Sequence, residues 1–496
     1  MRTLIAVLVL SCVVLTTVWA KTDVVRLPVA EDPTVSFRIL FNVGSQNDPE
    51  GKEGLAALTA TLVTEGSTTK HSYEQILALL YPMAASVSEQ VDKEMTVFTG
   101  RTHLDNLEAY YALFKEVLLE PAFDENDFTR VKNDRLNYVK TSLRYAQDEE
   151  LGREMLYEFV FEGTPYAHNE EGHIKSLESI TLEDVKTFYG THYNKANLVV
   201  GLGGGFDDAF AARVTADFDA LPEGRRSAVA PPQPEAIDGL HVTIIQKKAG
   251  STAISFGYPI DAVRGSKDFY ALKFARTWLG EHRNGFSHLY EVIRERRGLN
   301  YGDYAYIEHF PHAYARRFPP PNVARRQQIF QVWIRPVPHD ANVFSFRAAM
   351  RELQNLIDNG MTQEDFDLTK KFLKGYTLHY APTTMMQLGY AIDDRFYDIK
   401  DGHWNTFRKM LDELTLDDVN AALKTYLSYE NVKVVFITED AEGLKNALVT
   451  NAPSPITYPS EKPAAILEED NAIAVYPLTV KSENVTVVGV EALFED

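Results

Sequence analysis

The sequence predicts an α+β protein built as two copies of one domain in tandem. Three observations carry this. The chain has 496 residues, more than a single hydrophobic core usually organises. Helix starts recur in order at a period of roughly 235 residues. Strand patterns lie at both ends of each copy with helical patterns between them, which calls for helices packed on sheets.

The first 20 residues come before the repeat. Arg2 precedes the apolar run "LIAVLVLSCVVLTTVWA", which ends in small residues before the charged Lys21. A positive start, an apolar stretch and a small-residue end describe a secretory signal peptide cleaved after Ala20. Cys12 is the single cysteine, so the mature chain has neither a disulfide framework nor a thiol nucleophile. A lipid anchor at Cys12 fits less well, because Leu10 suits a lipoprotein box poorly. No later stretch has the length and apolarity of a membrane span.

The first copy, 21–222, opens with the alternating strand "TVSFRILFNVG". The segment "GKEGLAALTATLVTEGS" at 51–67 follows, with Gly54 opening a helix and Leu55, Leu58 and Leu62 forming its buried stripe. In "LDNLEAYYALFKEVLLEP", Leu107, Tyr110, Phe114 and Val117 share a helix face. "FDENDFTRVKNDRL" at 123–136 pairs with "MTQEDFDLTKKFL" at 361–373. "SITLEDVKTFYGTHYNKANLVVGL" at 179–202 pairs with "ELTLDDVNAALKTYLSYENVKVVFI" at 413–437, each a Thr-capped amphipathic helix running into an apolar strand. The Pro-rich linker 223–239 separates the copies. The second copy, 240–455, opens with "HVTIIQK" and "STAISFGYP". The Pro-spaced end, 456–496, reads as an extended tail.

The formal charge of -20 excludes nucleic acid and suits anionic membrane surfaces poorly. With 45% apolar residues the chain can bury full cores. "VVGLGGG" at 199–205 follows a strand but lacks the acidic residue of a dinucleotide site. His168 and His173 lie in a Gly- and Pro-bounded loop, and His309 and His312 flank a proline with only Glu308 nearby. Both pairs read as loop or surface histidines rather than metal ligands.

The segments "FNVGSQNDPEGKEGLA", "FEGTPYAHNEEGH", "SHLYEVIRERRGLNYG" and "LTLDDVNAALKTYL" resemble the pitrilysin/insulinase family of zinc metallopeptidases, which includes mitochondrial processing peptidase. The resemblance covers nearly the whole mature chain. It implies two homologous processing-peptidase-like metallohydrolase domains, helices packed on antiparallel or mixed sheets. Active members carry His-x-x-Glu-His on the helix after a stretch like "GKEGLA". Residues at i and i+4 share a helix face, so two imidazoles can hold one zinc while the intervening Glu activates its water. A distal Glu completes the site.

This chain has Ala57 and Thr61 at the histidine positions and Ala60 at the base position. The distal position falls near Asn137 or Tyr138. No residue at these places holds zinc as the family does.

The second copy keeps a different family feature. Arg294 precedes Tyr301 by seven residues in "IRERRGLNYG". Alone, such an Arg reads as a solvated charge and such a Tyr as core or rim. The resemblance implies that both reach the substrate, where a guanidinium and a phenol can hydrogen-bond a peptide carbonyl and its developing oxyanion. The expectation is a non-catalytic, substrate-binding subunit of a periplasmic heterodimeric zinc peptidase. The zinc would sit in a homologous partner that binds the peptide jointly with this chain. The alternative is a binding or scaffold protein of the same fold. A self-sufficient peptidase would need ligands that the motif does not supply.

Overall fold

The computed structural model describes residues 22–311 and 316–496. The apolar run at 4–20, Cys12 and His312 lie outside the described residues.

The first copy starts with β1 (Asp23–Pro28), β2 (Thr34–Phe41), α1 (Leu55–Thr64), α2 (Tyr73–Leu80), β3 (Val87–Val91) and β4 (Thr96–His103). Next come α3 (Leu107–Leu119), α4 (Glu125–Asn137), a π-helical segment (Tyr138–Ala146) and α5 (Asp148–Val160). It closes with α6 (Ile174–Ser179), α7 (Leu182–His192), β5 (Leu198–Gly204) and α8 (Asp208–Phe218).

The second copy starts with β6 (Leu240–Gln246), β7 (Thr252–Ile260), α9 (Lys267–Gly280), a π-helical turn (Tyr290–Glu295), β8 (Asp303–Tyr306) and β9 (Gln328–Val337). Next come α10 (Asn342–Asn359), α11 (Gln363–Tyr376), α12 (Thr384–Phe396), α13 (His403–Glu413) and α14 (Leu416–Tyr426). It closes with β10 (Val432–Thr438), α15 (Ala441–Val449), α16 (Ala464–Ala474) and β11 (Val480–Gly489).

The sheets repeat strand for strand. The first has the order β1-β5-β2-β4-β3, and the second has β6-β10-β7-β9-β8 with β11 added beyond β6. In each run of five strands the first pair is parallel and the other three are antiparallel, and β11 forms a further parallel pair with β6. The repeated helix starts have the same physical cause. Thr181 and Asp184 cap α7 reciprocally, and Thr415 and Asp418 do the same for α14. Each satisfies two orphan donors, at the Thr caps that the repeated segments predict.

The copies exchange helices. α12 of the second copy lies on β5, β1 and β2 of the first sheet, and α5 of the first lies on β7, β10 and β9 of the second. This accounts for the glycines of β5. A Cβ at Gly201 would stand 2.8 Å from Ile392 Cδ1, and one at Gly203 would stand 3.0 Å from Thr384 Cγ2. The glycines let a helix approach the strand and form no nucleotide loop.

The segment 456–496 is not an extended tail. It forms α16 and then β11, which pairs in parallel with β6. Its last residues cross to the first copy, where Val490, Leu493 and Phe494 join the hydrophobic core. Ile174 donates its backbone N–H to the Phe494 carbonyl at 2.7 Å, and Arg144 bonds the Leu493 carbonyl and Glu495. The prolines drew the sequence reading. The valines of 480–490 supply the strand and its buried contacts.

Charges are buried between the copies. Arg325, 1% exposed, reaches Asp92 at 2.6 and 3.1 Å and Glu170 at 2.9 Å. Lys93 also pairs with Glu170, at 3.1 Å. Burial opposes ionisation of Glu170, but the Lys93 and Arg325 cations overcome it and hold its carboxyl down to about 2.

The counterpart of α1, α9, carries a less well served cation. Lys273 is 1% exposed and lies 3.7 Å from Glu308, with Trp404 and Tyr380 rings 5.2 and 5.6 Å away. Its Nζ has no hydrogen bond. Burial lowers its pKa to about 8 against the opposing pull of Glu308. A base whose folded pKa is depressed destabilises the fold below that pKa, and the penalty fades as pH rises towards the unfolded value of about 10.4. Lys273→Met is therefore expected to stabilise the protein by about 1–3 kcal/mol at pH 7, because Arg264 still holds Glu308 at 2.8 Å. Chemical unfolding at pH 7 and pH 10 checks this. A loss of stability at pH 7 would refute it.

Candidate functional site

The site is built from α1, α4, β3 and the loop before α6. Gly54 starts α1 in the left-handed region at φ 97°, and its lack of a side chain leaves the helix end to a distant cap. Asp48 accepts the N–H of Gly54 at 2.8 Å and of Ala56 at 2.7 Å. The same carboxylate takes His168 Nε2 at 3.1 Å, which ties the 168–173 loop to the helix. His173 pairs with Glu158 at 2.9 Å. Burial opposes its charging, but the Glu158 contact raises its pKa. The two histidines are thus each committed to a separate carboxylate. His309 is buried beside Tyr157 and 3.4 Å from Asp92. Burial, reinforced by Arg325, Arg153 and Lys93, pushes its pKa well below the usual value, so it is neutral.

On α1, Ala60 is fully buried and Ala57 is 4% exposed. Thr61 donates its hydroxyl to Glu89 on β3 at 2.9 Å. Its oxygen accepts an N–H from Arg135 at 2.7 Å. Arg135 projects from α4 and also pairs with Glu171. A guanidinium thus joins the first helix, the fourth helix and the loop at the place where the sequence positions the degenerate motif.

These residues do not fit a zinc ion. Two methyl groups offer no lone pair, and the threonine oxygen is already engaged by a cation that repels a second one. Among the described residues, no cluster of three His, Cys, Asp or Glu side chains has the spacing to hold a metal. The sequence reading missed Arg135, although it stands only two residues before Asn137. A cation near the distal position of a motif without ligands was the available signal. Tyr138, the other distal candidate, lines a cavity of about 340 Å³ together with Glu154, Glu171 and His309.

Arg294 lies in the π-helical turn and Tyr301 two residues before β8, joined by a reversal at Gly298 (φ 74°). The Arg294 side chain is 36% exposed and its near carboxylate, Glu295, is 3.9 Å away. Tyr301 is 79% exposed, and its phenol has no hydrogen-bond partner among the described residues. No hydrogen bond joins the two side chains. Each keeps donor capacity for a group outside the chain.

Residues 24–170 match the family profile of the insulinase (M16) peptidases, and residues 179–373 match that of the M16 peptidase inactive domain. The chain belongs to the M16 family. It is 23% identical over 414 residues to the non-peptidase homolog YmxG of Helicobacter pylori, covering 82% of this chain and 89% of that protein. An uncharacterised zinc protease of Mycobacterium tuberculosis is 22% identical over 414 residues, covering 80% and 86%. Among solved structures, an M16 peptidase inactive domain from Pseudomonas fluorescens superposes with a TM-score of 0.73 at 24% identity, covering 84% of this chain and 96% of that one. A protease from Helicobacter pylori gives 0.71 at 18% identity, with the same coverage. These structures share the tandem fold of this M16 chain.

Proposed function

We propose that this M16 chain is the non-catalytic, substrate-binding subunit of a heterodimeric zinc peptidase, acting after export in the periplasm. The zinc belongs to a homologous partner carrying His-x-x-Glu-His, and Arg294 and Tyr301 complete the partner's site on the bound peptide. The observation that carries the reading is the exposed phenol of Tyr301, 79% exposed and without a hydrogen-bond partner among the described residues, together with the half-exposed Arg294 guanidinium, whose near carboxylate is 3.9 Å away. The Arg135 plug at the first copy's motif supports the non-catalytic part. The similarity to a relative named as a non-peptidase homolog supports it as well.

The test mixes the purified chain with an M16 subunit that carries His-x-x-Glu-His and follows peptide hydrolysis. Isolated, this chain is expected to cut nothing. In the pair, Tyr301→Phe and Arg294→Ala should each lower kcat about a hundredfold, the cost of one lost oxyanion donor, while the pair still assembles. Unchanged turnover in both variants would refute the assignment and leave a scaffold of the same fold.

A further inference from the structure

A cavity of about 580 Å³ lies where the two copies meet the linker. That is within the range of roughly 300–1,000 Å³ that small-molecule sites occupy. Its floor is apolar. Leu40, Met95 and Val199, beside the ends of β2, β4 and β5, meet Ile392 and Phe396 of α12 there. One wall is the linker at 226–229. Ser227 donates its backbone N–H to Asn197 of the first copy at 2.8 Å, and Arg326 of the second donates to the Val229 carbonyl at 2.8 Å. This stretch of the Pro-rich segment is therefore pinned to both copies.

Two polar groups of the lining are unserved. Gln46 is 8% exposed, and its side-chain amide makes no hydrogen bond among the described residues. Its place is fixed. The Gln46 backbone N–H donates to the Lys93 carbonyl at 3.0 Å, and Asn47 beside it donates to the Ser227 carbonyl at 3.2 Å. Buried polar side chains are nearly always hydrogen-bonded, so an amide without a partner beside a cavity marks a ligand contact. Arg226 is the second group. The other cations of the lining have carboxylates: Arg326 pairs with Glu94 at 2.5 Å, Lys195 pairs with Glu223, and Arg395 lies 3.6 Å from Asp23. Arg226 has no ion pair or hydrogen bond among the described residues. The cavity thus keeps one uncompensated positive charge, in a chain of net charge -20.

We propose that this cavity binds a carboxylate carrying an apolar chain, with the chain on the floor of Leu40, Met95, Val199, Ile392 and Phe396 and the carboxylate held by Arg226 and Gln46. A guanidinium and an amide N–H both donate to a carboxylate, and the charged bond is the stronger. One spare cation suits a monoanion better than the greater charge of a phosphate. A fatty acid and the free C-terminus of a peptide ending in an aliphatic residue share this chemistry. Neither Arg294 nor Tyr301 lines the cavity, so its occupancy is separate from any peptidase partner.

Titration calorimetry of the full chain tests this. The probes are decanoate below its micelle concentration, decanol, and a short peptide ending in leucine with its C-terminus free or amidated. Decanoate or the free-acid peptide is expected to bind once per chain, at least about tenfold more tightly than its uncharged counterpart. Binding of decanoate alone assigns the cavity to fatty acids, and binding of the free-acid peptide alone assigns it to peptide ends. Arg226→Glu and Gln46→Leu should each weaken the bound carboxylate at least about tenfold. Neither should lower the melting temperature of the ligand-free chain, because neither side chain serves a partner within the fold. Failure of both carboxylates to bind, equal binding of charged and uncharged probes, or an affinity indifferent to either substitution would overturn the proposal. The assay contains no peptidase, so its outcome is separate from the hydrolysis test above.

Discussion

Arg325→Ala is expected to destabilise the protein by about 3–5 kcal/mol, the cost of leaving a buried charge without its partner. Arg325 is the cation from the second copy that meets Asp92 and Glu170 of the first. Truncation leaves Asp92 buried with His309, which is neutral and 3.4 Å away. Lys93 still reaches Glu170, so the loss falls mainly on Asp92. The Arg325 guanidinium also lies 5.2 Å over the Tyr157 ring on α5, so packing between the copies is lost with the charge. Adding Asp92→Asn should recover part of the loss, because the uncompensated charge goes with it. Denaturant unfolding of the single and double variants measures this. A change below about 1 kcal/mol in the single variant would show that water reaches these carboxylates.

Grafting the missing zinc motif is the second large effect. Ala57→His, Ala60→Glu and Thr61→His, with Glu placed at Asn137 or Tyr138 in turn, supply every family ligand. The graft is nevertheless expected to bind no stoichiometric zinc while Arg135 remains. Two unit charges 4 Å apart at the dielectric of a protein surface repel by about 4 kcal/mol, and a dication doubles this. Arg135→Met on the grafted background should therefore raise zinc affinity at least about a hundredfold, as read by equilibrium dialysis with metal analysis. Ala60 is fully buried, so inserting Glu there also strains the core by about 1–3 kcal/mol. Tight binding of one zinc by the graft with Arg135 intact would defeat the charge argument.

The sequence disclosed the tandem fold because local rules are written twice. Thr181 with Asp184 and Thr415 with Asp418 mark the same helix start, and the strands after them follow from their apolar runs. The missing ligands at Ala57, Ala60 and Thr61 were equally plain, since the resemblance at "GKEGLA" places the family motif on the helix that follows. Arg135 was not legible as a plug, because its contacts with Thr61 and Glu171 depend on how three elements meet. The glycines of β5 were visible, but their reason lies in α12, about 180 residues later. The role of 480–494 was hidden for the same cause: prolines signal a break in regular structure without saying where the chain goes next.

The carboxyl-terminal staple imposes an order on biosynthesis. Leu493 and Phe494 fill the interior of the half that leaves the ribosome first. The first half therefore completes its packing only with residues 490–494, which follow the entire second copy along the chain.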